Sequence, residues 1–431
     1  MSEEVGQMSE QVDLLKAIAD QGDSIIEHSK KKYPERTYMF EFTNSYWQDI
    51  YYARENGIPI VMIAHPGVPQ EMIYALDAVP FGIDALPVRL ASSPDAHKYI
   101  DLAEKIMPST ICGLDKVDMG VIISGDLGFK PDAYIFCTLP CDSARPIYSA
   151  IADYLDVPYF ILDTPYRKDD AGFAYTTENL KDAYEFLQKA LGRKHDPEKM
   201  AEVIVRSNES AHLLSEVANL RKQKPCPLPS RLLAMNGVCG SSMGSQYLVD
   251  YLRTLYAEGL EKAEKKLGCT PGEEKFRVLW LQNMIWSSVS IMDWMEREFN
   301  AVSVMDSFGF TGTCNIEDPY DYEQIFQGLA KRMMAYPMIH GAAGPAQVWL
   351  DLTDEQIEEY DIDLALFAGH IGCKHTWAAH KIVKDVASQK YGLPVLTFDL
   401  DATDTRYKSV DEVKATISEF METLGAGVAG N

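Results

Sequence analysis

The 431-residue sequence predicts an α/β protein built from two similar domains, each with a parallel sheet and helices on both of its faces. Two stretches repeat one order of features: an apolar strand, a cysteine loop, a helical pattern, a proline-led strand and an aspartate. The first stretch covers 132–163 around Cys141, and the second covers 363–399 around Cys373. A continuous apolar run at 58–64 is typical of a buried parallel strand. The repeat indicates two copies of one flavodoxin-like unit.

The patterns divide the chain into four segments. An amphipathic helical pattern over 9–32 belongs to an N-terminal helical segment, 1–57. The two α/β domains are predicted at 58–177 and 273–431. Between them, charged helical patterns at 178–272 are interrupted by a proline-rich loop and a small-residue loop, which is typical of a connector.

Composition excludes several classes of protein. With 46% hydrophobic residues the chain can bury a full core, and a net charge of -24 argues against nucleic acid and anionic membranes as partners. The first residues show no signal-peptide pattern, and no stretch approaches about eighteen apolar residues. We therefore expect a cytoplasmic protein that binds neither nucleic acid nor membrane.

The eight cysteines are expected to be free thiols or metal ligands, because disulfides are rare in the cytoplasm and no CxxC pair occurs. Cys141 and Cys373 each follow a predicted strand and precede a helix, the point where open parallel sheets bind ligands. The helix N-terminus there is expected to lower the thiol pKa. Cys112, in the loop 108–113, belongs with them less obviously. Three cysteines would leave one iron of a four-iron cluster without a protein ligand, whereas a fourth would restrict the site to electron transfer.

Other candidate residues are polar groups at strand ends. His65 follows the strand at 58–64, and it either begins a helix whose dipole Glu71 favours or faces a substrate. Asp84 interrupts an apolar run and must therefore be hydrogen-bonded or functional. His370 and His375 flank the second repeated cysteine, and they are either hydrogen-bond donors to cluster sulfur, proton carriers or ordinary loop residues.

Two small-residue loops, 237–245 and 341–345, are either plain turns or sites where backbone amides contact a nucleotide phosphate. Neither matches a P-loop or a GxGxxG pattern.

With these residues identified, the chain resembles the 2-hydroxyacyl-CoA dehydratase family, which includes the benzoyl-CoA reductase subunits, and looks most like its α-type dehydratase subunits. Similar order and spacing run from about 58 to 406. The segments that carry the resemblance are Pro69–Glu71, Ile111–Cys112, Cys137–Asp142, Gly369–Lys374 and Gly392–Arg406.

The resemblance implies a heterodimer with a β-type subunit and a [4Fe-4S] cluster bound by Cys112, Cys141 and Cys373. It implies removal of water from a (R)-2-hydroxyacyl-CoA to give the 2-enoyl-CoA through a ketyl radical. An ATP-dependent iron–sulfur activator protein would supply the electron. The implied class is lyase, and the implied substrate is an acyl-CoA, for which we expect a short acyl group such as lactoyl.

The chain departs from the family at two positions. Members carry a serine shortly before the Pro-x-Glu segment and a glutamate about a dozen residues after it, where this chain has Pro66 and Asp84. Proline cannot donate a hydrogen bond, so His65 is expected to substitute. His65, Glu71 and Asp84 are the expected catalytic residues. The alternatives are a benzoyl-CoA-type reductase subunit and a non-catalytic iron–sulfur electron carrier.

Overall fold

The computed structural model describes residues 12–64, 67–282, 285–307, 309 and 314–425. Within these ranges the helices are α1 (Leu14–Lys32), α2 (Thr37–Asn56), α3 (Glu71–Tyr74), α4 (Ala85–Leu90), α5 (Asp95–Ala103), α6 (Gly113–Ser124), α7 (Ala144–Leu155), α8 (Asp170–Leu191), α9 (Pro197–Leu220), α10 (Asn236–Gly240), α11 (Gln246–Glu264), α12 (Ser290–Phe299), α13 (Tyr322–Ala335), α14 (Ala346–Glu359), α15 (Lys374–Asp385) and α16 (Val410–Thr423). Short helical turns of other types lie at Pro34–Arg36, Ser230–Met235, Trp286–Ser288, Met338–Ala342 and Val386–Lys390.

The described strands form two parallel sheets of four strands each. The first sheet contains β1 (Ile60–Ala64), β2 (Val79–Gly82), β3 (Ala133–Cys137) and β4 (Tyr159–Leu162) in the order β2-β1-β3-β4. The second contains β5 (Phe276–Trp280), β6 (Ala301–Asp306), β7 (Leu364–His370) and β8 (Val395–Leu400) in the order β6-β5-β7-β8. The strand order is the same in both sheets, so the predicted repeat of one α/β unit is confirmed.

Both faces of the first sheet are buried. Ile63 and Ile135 pack into one hydrophobic cluster, whereas Met62 and Tyr134, one residue earlier on the same strands, pack into another. Successive side chains of a strand point to opposite faces, so helices must cover both sides. This explains the unbroken apolar run that predicted the strand. The predicted α/β class with helices on both faces is therefore confirmed.

Helices outside the sheets close the sides of the molecule. The N-terminal helix α1 starts after Asp13, whose side chain accepts a hydrogen bond from the backbone of Lys16. Residues 9–11 of the predicted helix lie outside the described ranges. Helix α2 packs on α11 of the connector through Phe42 and Tyr251, whose stacked rings are 4.2 Å apart. The predicted boundary at 177/178 falls inside α8. None of the described helices combines the length and the apolar character needed to cross a bilayer.

Candidate functional site

A cavity of about 620 Å³ lies where the carboxyl ends of the two sheets face each other. Its lining includes Asp84 after β2, Cys141 after β3, Gln282 after β5, Asp306 at the end of β6 and Cys373 after β7. Helices α1, α2 and α4 and the connector contribute further walls. Its position is that of ligand sites in open parallel sheets, and its volume lies in the usual range of small-molecule sites.

Three cysteines from distant segments line this cavity, each at the start of a helix. Cys112 is the residue that caps α6, and Cys373 is the residue that caps α15. Cys141 lies just before α7, and its Sγ accepts a hydrogen bond from the backbone N–H of Ala144 at 3.3 Å. The unpaired N–H groups of a helix N-terminus favour an anion, such as a thiolate.

Close backbone packing joins the Cys112 loop to the second domain. A Cβ atom at Gly372 would lie 2.5 Å from the Cα of Cys112, and one at Gly113 would lie 2.1 Å from Oδ1 of Asp401. Only glycine allows such an approach. Because Gly372 immediately precedes Cys373, this packing brings together two cysteines that are far apart in the sequence.

Burial opposes ionisation of these thiols when only the protein's own groups act on them. It raises the pKa of Cys112, Cys141 and Cys373, and the nearby carboxylate of Asp115 raises each pKa further. The backbone N–H groups at the helix N-termini do lower each pKa, as expected, but burial outweighs them in the chain alone. A bound metal reverses this balance, since a coordinating thiol is deprotonated outright.

The three thiols suit a cluster better than a lone ion. Across the described ranges, no group of three or more His, Cys, Asp and Glu side chains is arranged to hold a metal ion. An iron–sulfur cluster makes a different demand, because each cysteine binds its own iron and the sulfurs need not converge on one point. Cys112, Cys141 and Cys373 could hold such a cluster from three sides of the cavity.

A group of carboxyls lies in the same cavity, with Asp115 and Asp118 buried and Asp84 partly buried. The hydroxyl of Tyr148 donates to Oδ1 of Asp84 at 3.0 Å, and Ser143 Oγ donates to Asp115. Burial raises the pKa of Asp115 to about 7, and Asp84 adds to the shift. Burial also raises the pKa of Asp118, whose Oδ1 has no hydrogen-bond partner within the described structure. The site can therefore retain carboxyl protons close to neutral pH.

The sequence predicted only Asp84 of this group. Asp115, Asp118 and Ser143 were missed because nothing in their local sequence distinguishes them from ordinary polar residues near helix starts.

The structure places two of the three predicted histidines at the cavity. His370 and His375 line the cavity on either side of Cys373, and Nδ1 of His375 is buried without a partner among the described atoms. His65 lies outside the described residues, as does Pro66. Of the small-residue loops, 237–245 contributes Gly237, Val238 and Ser241 to the lining, whereas the described side chains of 341–345 contribute none.

Glu71 lies in a buried ion pair and is not part of the cavity lining. Its Oε1 accepts hydrogen bonds from Ser207 Oγ at 2.5 Å and from Arg332 Nη1 at 3.3 Å. Arg332 also donates to Ser207 at 2.6 Å. These contacts join α3, α9 and α13, so the surroundings of Glu71 are those of a structural residue.

Five large apolar side chains line the cavity from the connector and the loops of the second domain, and we call them the apolar wall. They are Met235, Val238, Trp286, Val289 and Met338, and the hydroxyl-bearing Ser287, Ser288 and Ser290 also line the cavity next to Trp286 and Val289 in sequence. No sequence pattern indicated it, since these side chains come from separate short turns and loops.

Comparison with known proteins agrees with the predicted resemblance. A sequence model of the family described as 2-hydroxyglutaryl-CoA dehydratase, D-component, matches residues 67–424. The (R)-phenyllactyl-CoA dehydratase alpha subunit of Clostridium sporogenes is 22% identical over 411 residues, covering 92% of this chain and 97% of that protein. The lactoyl-CoA dehydratase subunit alpha of Anaerotignum propionicum is 22% identical over 314 residues, covering 69% of this chain and 70% of that protein.

A benzoyl-CoA reductase also matches, over a shorter stretch. One of the subunits of the Thauera aromatica enzyme is 28% identical over 192 residues, covering 43% of this chain and 47% of that protein. The family match extends over the second sheet, the connector and every strand of the first sheet except β1, and it includes all three cavity cysteines. The chain therefore belongs to the 2-hydroxyglutaryl-CoA dehydratase D-component family.

Proposed function

We propose that the chain is the α-type subunit of a 2-hydroxyacyl-CoA dehydratase, a lyase that removes water from a (R)-2-hydroxyacyl-CoA to give the 2-enoyl-CoA in a radical reaction. The observation that carries this proposal is the meeting of Cys112, Cys141 and Cys373 in one cavity at the carboxyl ends of both sheets. The dehydratase alpha subunit of C. sporogenes, which matches along 92% of the chain, supports the same class.

The proposed cofactor is a [4Fe-4S] cluster bound by these three cysteines, with one iron free of protein ligands. The donor set fits, because it consists of thiols at helix N-termini in a buried cavity. The chemistry supplied by such a cluster is a Lewis-acidic iron for a substrate oxygen and a single electron. The proposed partners are a β-type subunit and an ATP-dependent activator protein that delivers this electron.

The chain's own residues position the substrate and move protons. Asp84 is held by the Tyr148 hydroxyl at 3.0 Å, which fixes the direction of its carboxyl group in the cavity. We propose that this carboxyl takes the β-proton or returns a proton to the departing hydroxide. The apolar wall would exclude water from the bound substrate, and this exclusion strengthens each polar contact inside the cavity.

An anoxic assay tests this proposal. The chain is combined with its partner subunit, the activator, ATP and a reductant, and is given a series of (R)-2-hydroxyacyl-CoA thioesters or benzoyl-CoA. We expect 2-enoyl-CoA to form from the hydroxyacyl thioesters. Ring reduction of benzoyl-CoA without release of water would favour the reductase class to which the T. aromatica protein belongs. Turnover of neither substrate by a cluster-loaded complex would favour an electron carrier.

A further inference from the structure

We infer that the substrate of this subunit carries a bulky, uncharged side chain on its acyl group, aromatic or branched, and that this side chain packs against the apolar wall. The inference rests on the proposed dehydratase function and narrows its substrate class. It differs from the lactoyl group expected from the sequence, whose side chain is a single methyl.

The charges around the cavity disfavour an acyl side chain with a carboxylate. Arg231 precedes Met235 of the apolar wall by one helical turn of sequence. Its guanidinium forms an ion pair with the carboxylate of Asp293 at 3.0 Å. Arg89 projects from α4 and bonds Gln21 of α1, so it belongs to the wall made by the N-terminal helices. Lys374 begins α15 at the cysteine side of the cavity. A carboxylate at the apolar wall would lose its hydration, and Arg231, the cation nearest to this wall in sequence, already has a carboxylate partner, so burial of the charge there is costly.

Trp286 gives the apolar wall a flat surface and one hydrogen-bond donor. Its ring reaches across to α10, where a Cβ atom at Gly237 would lie 3.9 Å away. Its Nε1 is buried and has no acceptor among the described atoms, although the ring itself is only partly buried. A buried indole N–H usually has a partner, so an uncharged substrate oxygen is a fitting acceptor. Met235 and Met338 offer adaptable sulfur contacts for a ring or a branched chain.

The size of the apolar wall favours a large side chain over a methyl group. A lactoyl group would cover little of this surface and would leave the remainder in contact with water, whereas a larger group removes it from water. A single methylene changes selection in a hydrophobic pocket by roughly 10- to 200-fold. We therefore expect at least about a tenfold preference for a phenyl group over a methyl group.

Binding of unreactive thioesters tests this without turnover. Calorimetry on the anoxically purified complex would compare 3-phenylpropionyl-CoA, propionyl-CoA and glutaryl-CoA, which lack the 2-hydroxyl group. The phenyl compound is expected to bind at least about ten times more tightly than the other two. Trp286→Ala should remove most of this preference, because it weakens binding of the phenyl compound much more than binding of propionyl-CoA. Trp294→Ala is the control, because Trp294 packs on Phe299 outside the cavity.

The outcomes separate the two proposals. Equal binding of the phenyl and methyl compounds, or tightest binding of glutaryl-CoA, would overturn the inference about the side chain and leave the dehydratase proposal standing. Retention of the preference in Trp286→Ala would also overturn it. If none of the three thioesters binds, the proposed function fails together with the inference.

Discussion

Gly372 lies so close to the backbone of Cys112 that a Cβ atom on it would sit 2.5 Å from the Cys112 Cα. The two residues belong to different domains: Cys112 is one of the cavity cysteines, and Gly372 immediately precedes another, Cys373. Backbone packing therefore limits the distance between the two cysteine loops, and the Lys374 side chain also joins them by donating a hydrogen bond to the Thr110 carbonyl at 3.4 Å. A variant at Gly372 should disturb the site more than it disturbs either domain.

For Gly372→Ala we expect a loss of about 1–3 kcal/mol in unfolding free energy, the usual cost of overpacking, and a fall in bound iron. The iron content of anoxically purified protein and urea unfolding measure the two effects. Gly237→Ala is the control, because its Cβ would make only an ordinary contact at 3.9 Å. Normal iron content in Gly372→Ala would show that the cysteine loops tolerate a larger separation.

Tyr148 and Asp84 provide a test of the acid–base role. We expect Asp84→Asn to lower kcat by about 10²- to 10⁴-fold, the usual contribution of a positioned acid or base. Tyr148→Phe removes one hydrogen bond to a carboxyl and should cost roughly tenfold in kcat. Tyr99→Phe is a matched control, because the Tyr99 hydroxyl donates to Asp126 at the same distance, 3.0 Å, outside the cavity. Equal losses in Tyr99→Phe and Tyr148→Phe would argue against a role for Asp84 in chemistry.

The buried pair of Glu71 and Arg332 should matter for folding. Arg332→Ala leaves the Glu71 carboxylate buried without its cation, which should lower the unfolding free energy by about 3–5 kcal/mol. Lys181→Ala breaks ion pairs to Glu178 and Glu323 that are more exposed, and it should cost less than about 1 kcal/mol. Urea unfolding compares the two variants.

A variant of Glu71 distinguishes a catalytic role of this residue from a structural one. If Glu71→Gln destroys activity and leaves the unfolding midpoint unchanged, then Glu71 serves the reaction, as the sequence suggested, and its contacts to Ser207 and Arg332 are secondary.

Glu296 should make stability depend on pH. Burial raises the pKa of this carboxyl above 4.5, although it accepts a hydrogen bond from the backbone N–H of Ser230 at 2.6 Å. Between 4.5 and the raised value, the folded chain holds a proton that the unfolded chain has lost. The unfolding free energy should therefore fall as pH rises through this interval.

Urea unfolding at several pH values above 4.5 measures this effect. Glu296→Gln should show a weaker decline than the unmodified chain, whereas Glu419→Gln, on the exposed face of α16, should show the same decline. An identical pH dependence in Glu296→Gln would mean that other groups cause it.

Local sequence order was sufficient to find two of the three cysteines. Cys141 and Cys373 each lie in a continuous strand, loop and helix, so their position at a sheet edge follows from the chain on either side. Cys112 directly follows helices α4 and α5 and not a strand, so the local order indicated it less clearly, and the family resemblance named it as the third ligand. The edge strand β2 was missed because Pro80 and Gly82 weaken a strand pattern, although proline is tolerated at a sheet edge.

The set of carboxyl side chains in the cavity and the apolar wall could not be predicted from local sequence order. Ser143 and its partner Asp115 are 28 residues apart, and Tyr148 and its partner Asp84 are 64 apart. Such contacts depend on how the helices cross above the sheets, which no local periodicity records. The apolar wall is assembled from short turns whose residues look like ordinary core or loop positions until both domains are in place.

Iron and acid-labile sulfide, measured in the anoxically purified chain, decide whether the three cavity cysteines bind a cluster. We expect about four irons and four sulfides per chain, with a large loss when Cys112, Cys141 or Cys373 is changed to serine. Cys137→Ala should retain them, since Cys137 is buried at the end of β3 and does not line the cavity. A chain free of iron, or full iron content in all three serine variants, would refute the proposed cluster.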